Sequence, residues 1–373
     1  MATEPTSLID GSIPSAGIPI EGMEEEEIIV EELEEDPDVT EQEDGSVVIG
    51  PEVEDMLQEQ MLMEPDANLS ELLEEEQLAG IAQELIAQYE EDRSGRQEWE
   101  DAYTEGLELL GIKYEDREEP FRGSSGVTHP LIAEAVTQFQ AQAYKELLPG
   151  SGPVRTQVVG ASTPDVVAQS QRIQDFMNYQ IIHVMDEYDP EMDRLLFYLP
   201  LAGSAFKKVY FDDILDRAVS RFVPADDLVV PYNATDLASA SRVTHVTRMS
   251  VNDVRKFQAG GFYRDIDLEP YEQDDELRDK ERELSGIEKT SSDLDCTLLE
   301  VHTDLDLPGF EHMHPIEEEK TGIKVPYIVT IDQGSEKILS IRRNYREGDE
   351  YYRKIQYFAH YKFLPGLGFY GFG

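Results

Sequence analysis

The chain has 373 residues, room for one large or two ordinary domains, and its 40% hydrophobic content suffices for a sizeable core. A formal net charge of −49 excludes a basic, phosphate-neutralising nucleic-acid binder of the usual kind. The single cysteine, Cys296, excludes a disulfide framework within the chain, and no apolar run approaches the roughly 20 residues of a membrane span.

The charge is unevenly spread. Residues 1–90 hold 28 of the 80 Asp and Glu and no Lys or Arg, which leaves 52 acids against 31 bases in the rest, a balance of −21. The N-terminus has neither the basic nor the apolar segment of a signal peptide, so the expected compartment is a cytosol or something assembled there. Residues 1–67 carry dense like charge, as in "EEEEIIVEELEEDPD", and read as a disordered acidic arm. Its functional alternative is an interaction arm that docks on a basic partner or mimics nucleic acid.

Residues 68–200 read as helical. Leu78, Ile81, Leu85 and Tyr89 form one apolar stripe. Ser94 with Gln97 reads as a capping box opening a second helix that carries Trp99, Tyr103, Leu107 and Leu110. Thr128 caps a third, "HPLIAEAVTQFQAQAYKELLPG", so rich in small and amide residues that more than one face is expected to pack. A fourth helix runs from about Pro164 to Tyr188 with Val167, Ile173, Phe176, Met177 and Ile181, and "PEMDRLLFYLPLAG" follows as a fifth.

Residues 201–373 then read as mostly antiparallel β structure with inserted helices. "SAFKKVYFDD" and "RAVSRFVP" form a hairpin; "SRVTHVTRMS", "CTLLEVHTDLD", "VPYIVTID" and "EKILSIRR" are further strands. Ser250 with Asp253 caps a short helix, and residues 265–293 read as an exposed helix with a loose tail. The last strand is "YRKIQYFAHYKF", followed by the turn "LPGLGFYGFG". The order of elements is that of an α+β fold, which argues against dinucleotide-binding and P-loop enzymes.

Chemical motifs are sparse. "GLGFYGFG" has no helix after it to aim amides at phosphate. Cys296, His302, His312 and His314 match no zinc-ligand spacing, and Asp212-Asp213 and Asp226-Asp227 sit where turns want aspartate. No nucleophile elbow or metalloprotease motif occurs, so no catalytic residue, metal or cofactor is assigned. The rival is a metal-dependent hydrolase or nuclease using Asp226, Asp227 and a histidine.

Taken in order, "GSSGVTHPLIAEAVTQFQAQAYKELLP", "FMNYQI", "LLFYLPLAGSAFKKVYFD", "RFVPADDLVVPYNATDL", "RVTHVTRMSVNDVRKFQAGGFY" and "HYKFLPGLGFYGFG" resemble the N-terminal half of tailed-bacteriophage portal proteins, especially those of short-tailed phages. The resemblance covers residues 93–373. It implies a non-enzymatic subunit of a ring, typically of twelve copies, at one capsid vertex of the virion, assembled in the host cytoplasm. The partners it implies are terminase, capsid and scaffolding proteins, tail adaptors, and double-stranded DNA that passes through the channel without sequence-specific binding.

On this resemblance the chain corresponds to the wing, and the stem, clip and crown that follow in the family are missing, as in a truncated chain. Pro365, Gly366, Gly368, Gly371 and Gly373 would form the wing-to-stem junction, and the packing partners of this aromatic turn are expected beyond residue 373. Lys207, Lys208, Arg242, Arg248 and Arg255 are scattered and read as subunit-interface or surface ion pairs.

Overall fold

The computed structural model describes residues 39–41, 47–49, 66–110, 121, 129–212, 215–271, 276–286, 295–314, 319–366 and 368–373. The chain divides into two units, Met1–Met61 and Leu62–Gly373. In the first, β1 (Val39–Glu41) and β2 (Val47–Ile49) pair antiparallel with Val39 opposite Ile49. The charge pattern of the acidic arm predicts no regular element, so this hairpin is a difference; the rest of the arm lies outside the described residues.

The second unit opens with α1 (Glu75–Gly95), where Leu78, Ala82, Leu85 and Tyr89 are buried at spacings of four, three and four. That stripe lies on one face of a five-stranded antiparallel sheet, in a cluster with Val246, Leu299, Val329 and Ile341. The helix runs through Ser94, so the expected capping box is not its break; the chain bends instead at Arg96 before α2 (Gln97–Leu109). Thr128, expected to cap the third helix, lies outside the described residues.

The next helices are α3 (Leu131–Leu147), α4 (Pro164–Tyr179), which passes into a π-helical turn Gln180–Val184, and α5 (Tyr188–Ala202). The hairpin β3 (Ser204–Asp212) and β4 (Arg217–Pro224) forms where alternation places it. Together with β10 (Phe358–Lys362) it makes a three-stranded sheet, order β10-β3-β4. α5 covers the outer edge of β4. Carboxylates of Glu187 and Glu191 accept from the Ser220 and Phe222 amides at 3.2 and 2.7 Å, which satisfies edge donors that could otherwise recruit another strand.

The five-stranded sheet consists of β5 (Leu228–Val229), β6 (Arg242–Ser250), β7 (Asp295–Leu305), β8 (Val325–Asp332) and β9 (Lys337–Arg343). Between β6 and β7 stand α6 (Val251–Ala259) and α7 (Glu276–Ser285). The Ser250 hydroxyl accepts from the Asp253 amide at 3.1 Å and caps α6 as its sequence requires. α6 covers the second sheet face through Val254, Cys296, Leu298 and Leu339, so β7 is buried on both sides.

Two expectations change. α7 is not simply exposed: Leu277 is buried in the core beside Tyr103 and Leu107 of α2. The last strand is shorter than its alternation suggests, because residues 352–357 are diverted to the body, where the Ile355 amide donates to Asn344 O at 3.1 Å.

Candidate functional site

The densest polar assembly lies where α2, the Pro224–Leu228 turn, α7 and the final turn meet. Arg96 is fully buried. Its guanidinium donates to carbonyl oxygens of Ala225 and Leu228 (both 3.1 Å) and Asp226 (2.7 Å), and its Nε donates to Glu100 at 2.8 Å. Its plane lies against Trp99 and Tyr370, 5.4 and 5.6 Å from the ring centroids. A planar fork with five donors suits this position, since it collects several carbonyls at one point.

Tyr370 completes the junction. Its hydroxyl donates to Leu228 O at 2.8 Å and accepts from Arg96 Nη1 at 3.1 Å, while its ring stacks on Trp99 at 4.7 Å. Phe369 is fully buried and stacks on His360 at 4.7 Å, and the Gly371 amide donates to Ser204 Oγ at 2.8 Å. The expectation that this turn packs on residues beyond 373 is therefore corrected for Phe369 and Tyr370, which are buried within the chain itself, while Leu364 and Phe372 of the same turn are exposed. Gly368 lies against the Tyr232 ring and Gly371 against Gly203, where a Cβ would collide.

Pro365, Gly366 and Gly373 belong to the same turn, whose ends are held by an isolated bridge between Leu364 and Phe372. Beside it runs a groove of about 310 Å³ lined by Trp99, Tyr103, Ile132, Tyr232, Tyr370 and Phe372.

Next to Arg96 the carboxylates of Asp226 and Asp227 share Arg278 from α7, and Arg248 from β6 reaches Asp227 Oδ1 at 2.8 Å. Asp226 Oδ1 is buried without a hydrogen-bond partner. Burial, and then the charge of Asp227, raise the Asp226 carboxyl well above the usual carboxylate range. Burial acts the same way on Asp227, but Arg278 and Arg248 overcome it and hold that group below its ordinary value. These residues do more than shape a turn, as sequence reasoning has them; they form a buried cluster in which arginines take the positions a cation would occupy.

A second cluster joins the two sheets. Lys208 Nζ of β3 contacts both Glu300 oxygens of β7 at 2.6 and 2.7 Å, and His302 Nε2 donates to Glu300 at 2.7 Å. Against its burial, Lys208 and the hydrogen bond from His302 hold Glu300 well below the usual range. Burial pushes His245, opposite Glu300 in the ladder, down to about 4 and lowers His302 as well. Near neutrality both histidines are uncharged, so the cluster reduces to one ion pair pinning sheet to sheet.

The basic residues singled out in the sequence thus find partners inside the chain: Lys208 with Glu300, Arg248 with Asp227, and Arg242 with Asp92 at 2.5 Å. Lys207 is not a surface cation. Its ammonium is buried, lies 3.9 Å from the Tyr188 ring centroid and has no hydrogen-bond partner. Burial pushes it down to about 8 against the pull of Glu191 and Glu187. Arg255 is exposed on α6.

Cys296, His302, His312 and His314 are not brought together, and among the described residues no group of three or more His, Cys, Asp or Glu is placed to hold a metal. Asp213 lies outside the described residues. No described helix is long and apolar enough to cross a membrane. Sequence reasoning passes over Arg96, Tyr370 and Glu300; its one available signal is Arg96 standing three residues before the only tryptophan, at the "RSGR" break.

Compared with known proteins, the chain matches no family model and no curated protein.

Proposed function

We propose that the chain is a structural subunit of a portal-like ring at a capsid vertex of a tailed phage, serving as a conduit for DNA and a platform for terminase and tail adaptors. Support comes first from the ordered resemblance of residues 93–373, and the mixed α+β body with antiparallel sheets is compatible with a wing. The observation that carries the reading is that ordered resemblance; Lys208–Glu300, Arg242–Asp92 and Arg278 with Asp226 and Asp227 tie separate elements of the body together, which is compatible with it.

The remaining acidity supports the same reading. With 52 acids against 31 bases after residue 90, the subunit offers DNA phosphates no counterion-release gain, so passing DNA would slide rather than stick. Negative-stain imaging and light scattering of the product of the whole reading frame test the proposal. Closed rings are expected, and a strictly monomeric species at micromolar concentration would overturn it.

A further inference from the structure

The groove beside the final turn is walled by aromatic rings. Trp99, Tyr232, Tyr370 and Phe372 line its sides, and Ala102 and Gly106 of α2 are the small residues that leave it open. At about 310 Å³ it stands at the lower end of the roughly 300–1,000 Å³ of ligand pockets, room for a side chain or two and too little for a nucleotide.

Its electrostatics are one-sided. Glu98 is the sole charged side chain of the lining, and Asp101 and Glu105 follow it at spacings of three and four along the exposed side of α2. Pro200 and Leu201, also in the lining, lie in the last turn of α5, and no described donor reaches their carbonyl oxygens. The negative end of the α5 dipole, worth about half an elementary charge, therefore opens beside the groove. Arg96 lies behind the Trp99 and Tyr370 rings, but Glu100 pairs with it at 2.8 Å and its remaining donors go to Ala225, Asp226, Leu228 and Tyr370.

We propose that the groove receives a basic-apolar segment of a partner protein, its aliphatic side chains among the rings and its arginine or lysine drawn to Glu98 and the α5 carbonyl end. Aromatic faces suit both halves of such a segment, since they pack on alkyl chains and attract cations. A phosphate or a nucleic acid would meet carboxylate and carbonyl oxygens and no basic side chain in the lining. The groove lies within a single chain, so its occupancy does not depend on the ring.

Trp99 is the only tryptophan, so fluorescence of the intact protein reports on the groove directly. The probe is acetyl-Leu-Arg-Leu-Arg-Leu-amide; the control carries citrulline, the uncharged isostere of arginine, at both basic positions. In about 0.15 M salt, which screens the distant carboxylates, the arginine peptide should change Trp99 emission saturably and the citrulline peptide should bind about tenfold more weakly. Glu98→Gln should weaken the arginine peptide by about threefold, the effect of one exposed charge. A Cβ on Gly106 meets nothing within 4 Å, so Gly106→Leu should fill the groove, leave the circular dichroism spectrum unchanged and abolish the saturable response.

Equal affinity of the two peptides would overturn the proposal, because the groove would then be reading apolar surface alone. So would the absence of a saturable change in emission. A Gly106→Leu variant that responds like the parent would overturn it as well, by showing that the peptide is held elsewhere on the acidic chain.

Discussion

Asp226 binds its proton for two reasons that act in the same direction: burial, and the negative charge of Asp227 beside it. Arg278 and Arg96 oppose them, and Glu281 adds to them. The carboxyl's folded value is raised above its unfolded one, so its contribution to stability is complete at low pH and is lost as pH rises through the folded value. Urea unfolding from pH 6 to 9 should show stability falling, and Asp226→Asn should flatten that fall. Between the unfolded value and the folded one, each pH unit removes about 1.4 kcal/mol of that contribution. An identical slope in the variant would remove Asp226 from the account.

Lys207 presents the converse case. Its charged form is disfavoured by burial and meets only the Tyr188 ring and the field of Glu187 and Glu191. Lys207→Met, which keeps the stem and discards the charge, should stabilise the fold at pH 7 by about 1 kcal/mol or more, because a buried cation without a full set of partners is replaced by an apolar isostere. A chemical-denaturation midpoint that falls instead would mean the ring contact outweighs desolvation. Neither residue is legible in the sequence. An aspartate pair before a strand looks like a turn, and a lysine in an alternating strand looks solvated; only the fold reveals that α7 and α5 close over them.

Among elements, the strands are the most legible. In β6, β8 and β9 short runs rich in β-branched and apolar residues, bounded by turn residues, fix the limits within a residue or two. Helix ends are harder: the break at Arg96 is set by tertiary hydrogen bonds to the Pro224–Leu228 turn, which no local cap announces. The final turn misleads for the same reason, its aromatic side chains being received by α2, β3 and β10, hundreds of residues apart in part.

Its fit can be tested at Gly203, whose φ of +71° and contact with the Gly371 backbone leave no room for a Cβ. Gly203→Ala should cost at least about 2 kcal/mol and loosen the turn, read as faster amide exchange at Gly371. Protection of Gly371 equal to that of the parent would show that the turn is held without this contact. Tyr370→Phe, which removes one hydroxyl from the Arg96 junction, should cost about 1–2 kcal/mol by thermal unfolding, less than Gly203→Ala because the ring keeps its stack on Trp99.

At the scale of the whole molecule, assembly must contend with charge. Every copy brings −49, and even residues beyond 90 bring −21, so copies repel before any contact forms. An apolar contact between copies is one that salt strengthens or leaves alone. Repulsion between exposed carboxylates, in contrast, is screened once the Debye length falls to about 10 Å near 0.1 M salt. The two effects have the same sign. Raising sodium chloride from about 0.05 to about 0.5 M should therefore promote assembly, seen by sedimentation as a shift toward the ring at fixed protein concentration. A basic partner or an ionic interface would behave oppositely, because its attraction is the quantity being screened. Dissociation on adding salt would thus place the contact between copies among charged groups.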